Sequence, residues 1–138
     1  MRPRRQHFND GGCDLEARMP YIIYPGETIM VHTAYVPDKH DIPDGSVGLI
    51  FARSSLSKKG LILANGVGVI DAGYEGEVLV PLWNTSRDTP VVLEEHERIA
   101  QIVIVRLEST SALYTQAPIQ ADKKRAKGGF GSTGKVNS

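Results

Sequence analysis

The chain has 138 residues, enough for one domain with its own core and too few for several. Sixteen Lys and Arg balance sixteen Asp and Glu, so no global field draws it to nucleic acid or to a membrane surface, and local clusters must hold any anion. The single cysteine, Cys13, excludes an intrachain disulfide and a cysteine-built metal site, and it fits a reducing, cytoplasmic setting (host cytoplasm for a viral chain).

The basic start Met1-Arg-Pro-Arg-Arg5 is followed by no apolar stretch, so the sequence predicts a solvated arm and no secretory signal. No apolar run approaches the roughly 20 residues that span a bilayer. Thr28-Ile-Met-Val-His-Thr33 alternates after the turn Pro25-Gly26. Val47-Gly-Leu-Ile-Phe51 follows Pro43-Asp-Gly45. Ser54 to Lys59 reads as one helical turn, with Ser54 as its N-cap and Gly60 as its C-cap. Leu61-Ile-Leu63 precedes Asn65-Gly66, and Val67, Val69 and Glu77 to Val80 flank the turn sequence Asp71-Ala-Gly-Tyr-Glu-Gly76. Leu82 and Trp83 continue that strand as core or interface residues, and Ile99 to Leu107 is β-branched and apolar. Short strands at this spacing, without an internal repeat, predict an all-β sandwich or barrel. From about Ala121 the chain is Lys, Arg, Gly and Ser around a lone Phe130, too polar to order itself. The sequence therefore divides into a β domain over 1–120 and a flexible arm over 121–138.

Five segments have residue types suited to phosphate and nucleoside chemistry. Arg53-Ser54-Ser55 offers a forked cation and two hydroxyls at the start of the helical turn, as good for an anion as for a plain cap. The stretch from Leu63 to Glu77 reads as a hairpin whose glycines let the backbone approach a planar base. Its Asp71 can act as a general base and its Tyr74 can pack on a sugar, although Asp and Gly also dominate ordinary turns. Asp14, in Gly12-Cys-Asp-Leu15, can hold a magnesium-bound water. Gln101, in Arg98-Ile-Ala-Gln101, supplies a donor and an acceptor. In the arm, Ser132 and Thr133 lie between Gly131 and Gly134 and suit a phosphate. The arm mimics a P-loop only in part: Val136 replaces the required hydroxyl, and only three residues follow Lys135, so no helix can start there. His7, His32, His40 and His96 share no metal-binding spacing and read as surface or rim residues.

In this order, the five segments resemble the trimeric dUTP pyrophosphatase (dUTPase) family. The matching stretches are Gly12 to Leu15, Ala52 to Leu56, Asn65 to Glu77, Arg98 to Gln101 and Arg125 to Gly134. The resemblance implies a distorted jelly-roll-like β-barrel, a homotrimer with active sites at subunit contacts, and magnesium-assisted hydrolysis of dUTP to dUMP and pyrophosphate. It makes Asp71 the general base for water attack on the α-phosphorus. It gives uracil recognition to Asn65, Gly66, Gly68, Val69 and Ile70, and the deoxyribose to Tyr74. It gives the phosphates to Arg53, Ser54, Ser55, Gln101, Arg125, Ser132 and Thr133, with Gly131 beside them and Phe130 over the base. It gives Asp14 the magnesium, through water. Ala126 departs from a glycine common in the arm, and Gly73 from an acidic residue common after the base. The segment before Asp14 is short for the family, so a truncated first strand is expected.

Two rivals remain in view. A dCTP deaminase resembles this pattern but needs a carboxylate where Pro81 stands, and proline cannot move a proton. A nucleotide-responsive binding protein would use the same site to engage a protein partner, yet would not need Asp71. No nucleic acid or membrane partner is expected.

Overall fold

The computed structural model describes residues 1–108 and 112–115. The arm over 121–138, with Arg125, Phe130, Gly131, Ser132 and Thr133, lies outside the described residues. Among the described residues nine strands carry the fold: β1 (Cys13–Glu16), β2 (Tyr21–Ile23), β3 (Thr28–His32), β4 (Ser46–Ala52), β5 (Leu61–Leu63), β6 (Gly68–Asp71), β7 (Leu79–Asn84), β8 (Val91–Leu93) and β9 (Arg98–Arg106). The other elements are a 3-10 helix, Ser57–Lys59, and one helical turn, α1 (Ala112–Thr115).

The pairing is nested. β1 pairs with β9, β2 with β8, β3 with β7 and β4 with β6, all antiparallel. The chain is thus one long antiparallel ribbon bent at β5. Two further pairings, β4 with β9 and β5 with β7, roll that ribbon up. This is jelly-roll connectivity. The ladder is divided into sheets ordered β1-β9-β4-β6, β2-β8 and β3-β7-β5, and it does not close into one barrel among the described residues.

Alternation turns one face of each sheet into the core. Leu15, Ile50 and Ile102 from the four-stranded sheet meet Val31, Leu61 and Leu82 from the three-stranded sheet and Ile23 and Leu93 from the two-stranded one, in a single buried cluster. Most expected strands form within a residue or so of their predicted limits. β2 and β8, at three residues each, had too little alternation to be read from the sequence. Leu82 is core, whereas Trp83 points outward.

Two local expectations are corrected. Ser54 is not a helix cap: the Leu56 N–H donates to Arg53 O at 3.0 Å, making a turn, and the helix starts only after Leu56. Gly60 does end it, at φ 77°, with its N–H on Ser57 O at 3.0 Å. The stretch 63–77 is not a hairpin ladder either. A turn follows Asp71, but β6 pairs with β4 while β7 pairs with β3 and β5, so the chain crosses between sheets there.

Asn84 ties this crossing region to its surroundings. It is fully buried, donates to Ile23 O (2.9 Å) and Thr89 O (2.8 Å), and accepts the Ser86 N–H (2.9 Å). Asn84→Ala orphans the buried Ile23 carbonyl and two part-buried groups, and is expected to cost about 2–4 kcal/mol of unfolding free energy in urea titration.

Candidate active site

The outer face of the four-stranded sheet brings candidate residues together. Residues directly opposite across paired strands share a face. The registers Asp14↔Gln101↔Phe51, Leu49↔Val103, Leu49↔Val69, Val47↔Val105 and Val47↔Asp71 therefore put all these side chains on one side. The alternate residues, such as Gly48, Ile50 and Ile102, face the core.

Asp14 and Gln101 occupy one corner. Asp14 Oδ1 pairs with Arg53 Nε at 3.0 Å, and Oδ2 lies 3.8 Å from Arg98 Nη1. Arg53 stands just past β4, so the end of the strand delivers it to this corner. Gln101 Nε2 donates to Ala52 O at 3.1 Å. Gly12 lies against that side chain: a Cβ there would be 2.6 Å from Gln101 Oε1 and 3.2 Å from its Cβ, so a larger residue would displace the amide. A cleft of about 280 Å³ opens here, lined by polar residues including Asp14, Arg53, Ser54 and Gln101. Ser54 and Ser55 are exposed in the turn beside it. A larger cleft, about 530 Å³, has Glu94, Glu95 and Glu97 in its wall and repels a polyanion.

Asp71 occupies the opposite corner, at the end of edge strand β6. Asp14 is three strands away and four residues along, which is about 14 Å across and about 13 Å along the sheet, or about 19 Å in all. The structure thus does not bring Asp71 to Arg53 within one copy of the chain. Between the corners the face is apolar, with Val69 62% and Val105 39% exposed.

The segment leading to Asp71 is tightly turned. Gly66 sits at φ +73° with its N–H on Leu63 O (3.0 Å), and the Val67 N–H donates to Asn65 O (2.9 Å). Gly68 has a packing reason that the sequence did not reveal. A Cβ there would lie 3.0 Å from Ile50 Cβ, so glycine lets β6 lie close on β4. Val69 is exposed on the Asp71 face, and Ile70 alternates inward.

After Asp71 the chain is pinned by Tyr74 and Glu77. The Tyr74 N–H reaches Asp71 O at 3.2 Å, and its hydroxyl donates to Glu77 O at 3.1 Å. Burial, then the nearby Glu77 charge, raise the Tyr74 pKa. Glu77 itself accepts the Ala34 N–H at 2.8 Å, meets His32 Nδ1 at 3.0 Å and lies 3.9 Å from Arg18. It thereby holds Ala34 at φ 58°, a conformation costly for a residue with a side chain. Neither Glu77 nor its partner His32 was singled out as functional from the sequence, because their partners are more than 40 residues apart in the chain.

The dUTPase family model matches residues 2–134. The chain belongs to the dUTPase family. A deoxyuridine 5'-triphosphate nucleotidohydrolase of Thermobifida fusca is 42% identical over 133 residues, covering 96% of this chain and 72% of that protein. Among solved structures, the dUTPase from Streptococcus mutans is 34% identical at a TM-score of 0.70, over 77% of this chain and 85% of that one. The dUTPase of Staphylococcus bacteriophage 80alpha, solved with dUpNHpp, is 26% identical at a TM-score of 0.72, over 93% and 89%. A variant dUTPase of S. aureus phage phi11, with the same fold at 23% identity and a TM-score of 0.71 over 88% and 90%, coordinates a structural Mg(II) ion. These dUTPases share the present β architecture, and the outer-face geometry described above is what this dUTPase brings to it.

Burial alone favours the neutral form of Glu77, but the His32 and Ala34 hydrogen bonds with the Arg18 charge outweigh it and hold the carboxyl below its ordinary 4.5. A lowered folded pKa adds stability that is complete above 4.5 and lost as pH falls through the folded value. Glu77→Gln is therefore expected to be less stable than the wild type near neutral pH, with the gap narrowing as the pH falls below 4.5 and through the folded value, in urea titrations at each pH.

Proposed function

We propose that this dUTPase hydrolyses dUTP to dUMP and pyrophosphate at a site completed by neighbouring copies of the chain. The carrying observation is the diagonal placement of two polar corners on one sheet face, joined by an apolar stripe. A copy docked on Leu49, Val69, Val103 and Val105 would bury that stripe and bring its own Asp71 corner toward the Arg53 corner. A homotrimer gives each chain both roles.

In this reading Arg53, Ser54, Ser55 and Gln101 hold the phosphate chain. The guanidinium supplies forked donors to its oxygens, and Asp14 fixes the guanidinium's orientation. Asn65 and the turned backbone from Gly66 through Gly68, Val69 and Ile70 offer N–H and C=O groups to the uracil edge. The pinned Tyr74 ring lies against the sugar and leaves no room for a 2′-hydroxyl. Asp71 takes a proton from water as its oxygen attacks the α-phosphorus; the bond to the bridging oxygen breaks, and pyrophosphate leaves. Phosphoryl chemistry of this kind needs positioning and charge neutralisation more than covalent help. The arm, with Arg125, Phe130, Gly131, Ser132 and Thr133, closes over the γ-phosphate and base.

No group of three His, Cys, Asp or Glu suited to a metal occurs among the described residues. Asp14 already pairs with Arg53. This donor set fits a magnesium ion carried largely by phosphate oxygens and water, with Asp14 reaching it through water. When bound, magnesium neutralises phosphate charge. Pro81, buried in β7, leaves the deaminase reading without its acid.

The test is release of pyrophosphate from dUTP, UTP, dTTP and dCTP with magnesium. dUTP is expected to be the only good substrate, and Asp71→Asn to bind dUTP while losing at least about 100-fold in kcat. Comparable turnover by Asp71→Asn would remove it as the base, and equal rates on UTP would remove Tyr74 as the sugar filter.

A further inference from the structure

The N-terminal segment before β1 forms one wall of the phosphate-corner cleft. Gln6, His7, Asp10, Gly11 and Gly12 line it together with Asp14, Arg53, Ser54 and Gln101. The segment is fastened there. The Arg4 and Asp14 backbones exchange hydrogen bonds (3.2 and 2.7 Å), and Asp10 Oδ2 accepts the His7 N–H at 2.7 Å, which turns that carboxylate back into its own loop. From this wall Gln6 Oε1 accepts a hydrogen bond from Arg98 Nη1 at 2.8 Å.

Arg98 is held from two sides, by Gln6 at 2.8 Å and by Asp14 at 3.8 Å. Asp14 also holds Arg53 at 3.0 Å. One carboxylate therefore gathers two guanidiniums, and its single charge neutralises only one of them. Gln6 supplies the remaining fastening with a neutral acceptor. A neutral amide orients the second cation without cancelling it, which a site for a polyanion requires and a purely structural ion pair does not.

We propose that Gln6 is a positioning residue for dUTP, holding Arg98 as a second phosphate-facing cation beside Arg53. The inference rests on the phosphate role given above to the Arg53 corner. It makes the segment before β1 part of the substrate site and gives the cleft specificity for the polyphosphate over the monophosphate.

The experiment compares Gln6→Ala, Gln6→Glu and Arg53→Met in the full-length protein. Each is read by kcat and KM for dUTP, and by inhibition with inorganic tripolyphosphate and with dUMP. Gln6→Glu keeps an acceptor for Arg98 but adds a negative charge, so a structural role would survive it. The expected result is a KM for dUTP and an inhibition constant for tripolyphosphate both raised about tenfold, with kcat and dUMP inhibition unchanged. Gln6→Ala is expected to show the same pattern at about two- to fivefold. Wild-type values in Gln6→Glu, or equal losses for tripolyphosphate and dUMP, would overturn the proposal. If Arg53→Met weakens tripolyphosphate while both Gln6 variants behave as wild type, only the Gln6 inference falls. If Arg53→Met also leaves tripolyphosphate inhibition unchanged, the phosphate reading of the corner falls with it.

Discussion

The register of β4 between its two neighbours governs everything else in this molecule. Val47 faces Asp71 of β6 at one end, and Phe51 faces Gln101 of β9 toward the other. Strand pairing cannot slip by one residue without turning Leu49 and Ile50 inside out, so the register is fixed by the core. A fixed register fixes the separation of the carboxylate from the arginine corner. Chemistry that needs both at one phosphorus atom must then draw on more than one copy of the chain.

The same register explains the character of the surface between the corners. Inward Ile50, Ala100 and Ile102 are buried, while outward Val69 of β6 is 62% and Val105 of β9 39% exposed. An apolar stripe on a sheet face, flanked by functional polar groups, is suited to an interface with a defined orientation. The Arg53 corner, by contrast, depends on charge geometry. Asp14 pairs with the arginines rather than leaving them to fold onto distant acids, so the cations arrive oriented. Arg53 owes its place to the end of β4, and Glu77 holds the loop after Asp71. Stability and the proposed function are joined at these points, because the groups that fasten the loops also orient the candidate side chains.

Much of this was legible in the sequence. Thr28 to Thr33, Leu61 to Leu63 and Ile99 to Leu107 announced their strands through alternation or β-branched runs. The five motif segments pointed to the family that the comparisons bear out, and with it to the jelly-roll fold and the dUTPase activity. The nested pairing was not legible, because strands of three residues such as Tyr21–Ile23 have too short a period to register. Local propensity favours Ser54 as a cap, but the Arg53–Leu56 turn overrides it. The hairpin was inferred from turn residues alone, and nothing local in Asp71 to Gly76 reveals that the strands on either side enter different sheets. Gln6, Arg98 and Glu77 act through partners far away in the chain, so no spacing rule could have joined them.

A subunit-mixing assay tests the composite site most directly. Arg53→Met and Asp71→Asn proteins, each inactive on dUTP, are unfolded together, refolded as mixed oligomers and assayed for pyrophosphate release. The account predicts recovered activity, since some sites then draw Asp71 from one variant and Arg53 from the other. Mixed oligomers that form and stay as inactive as either parent would contradict it.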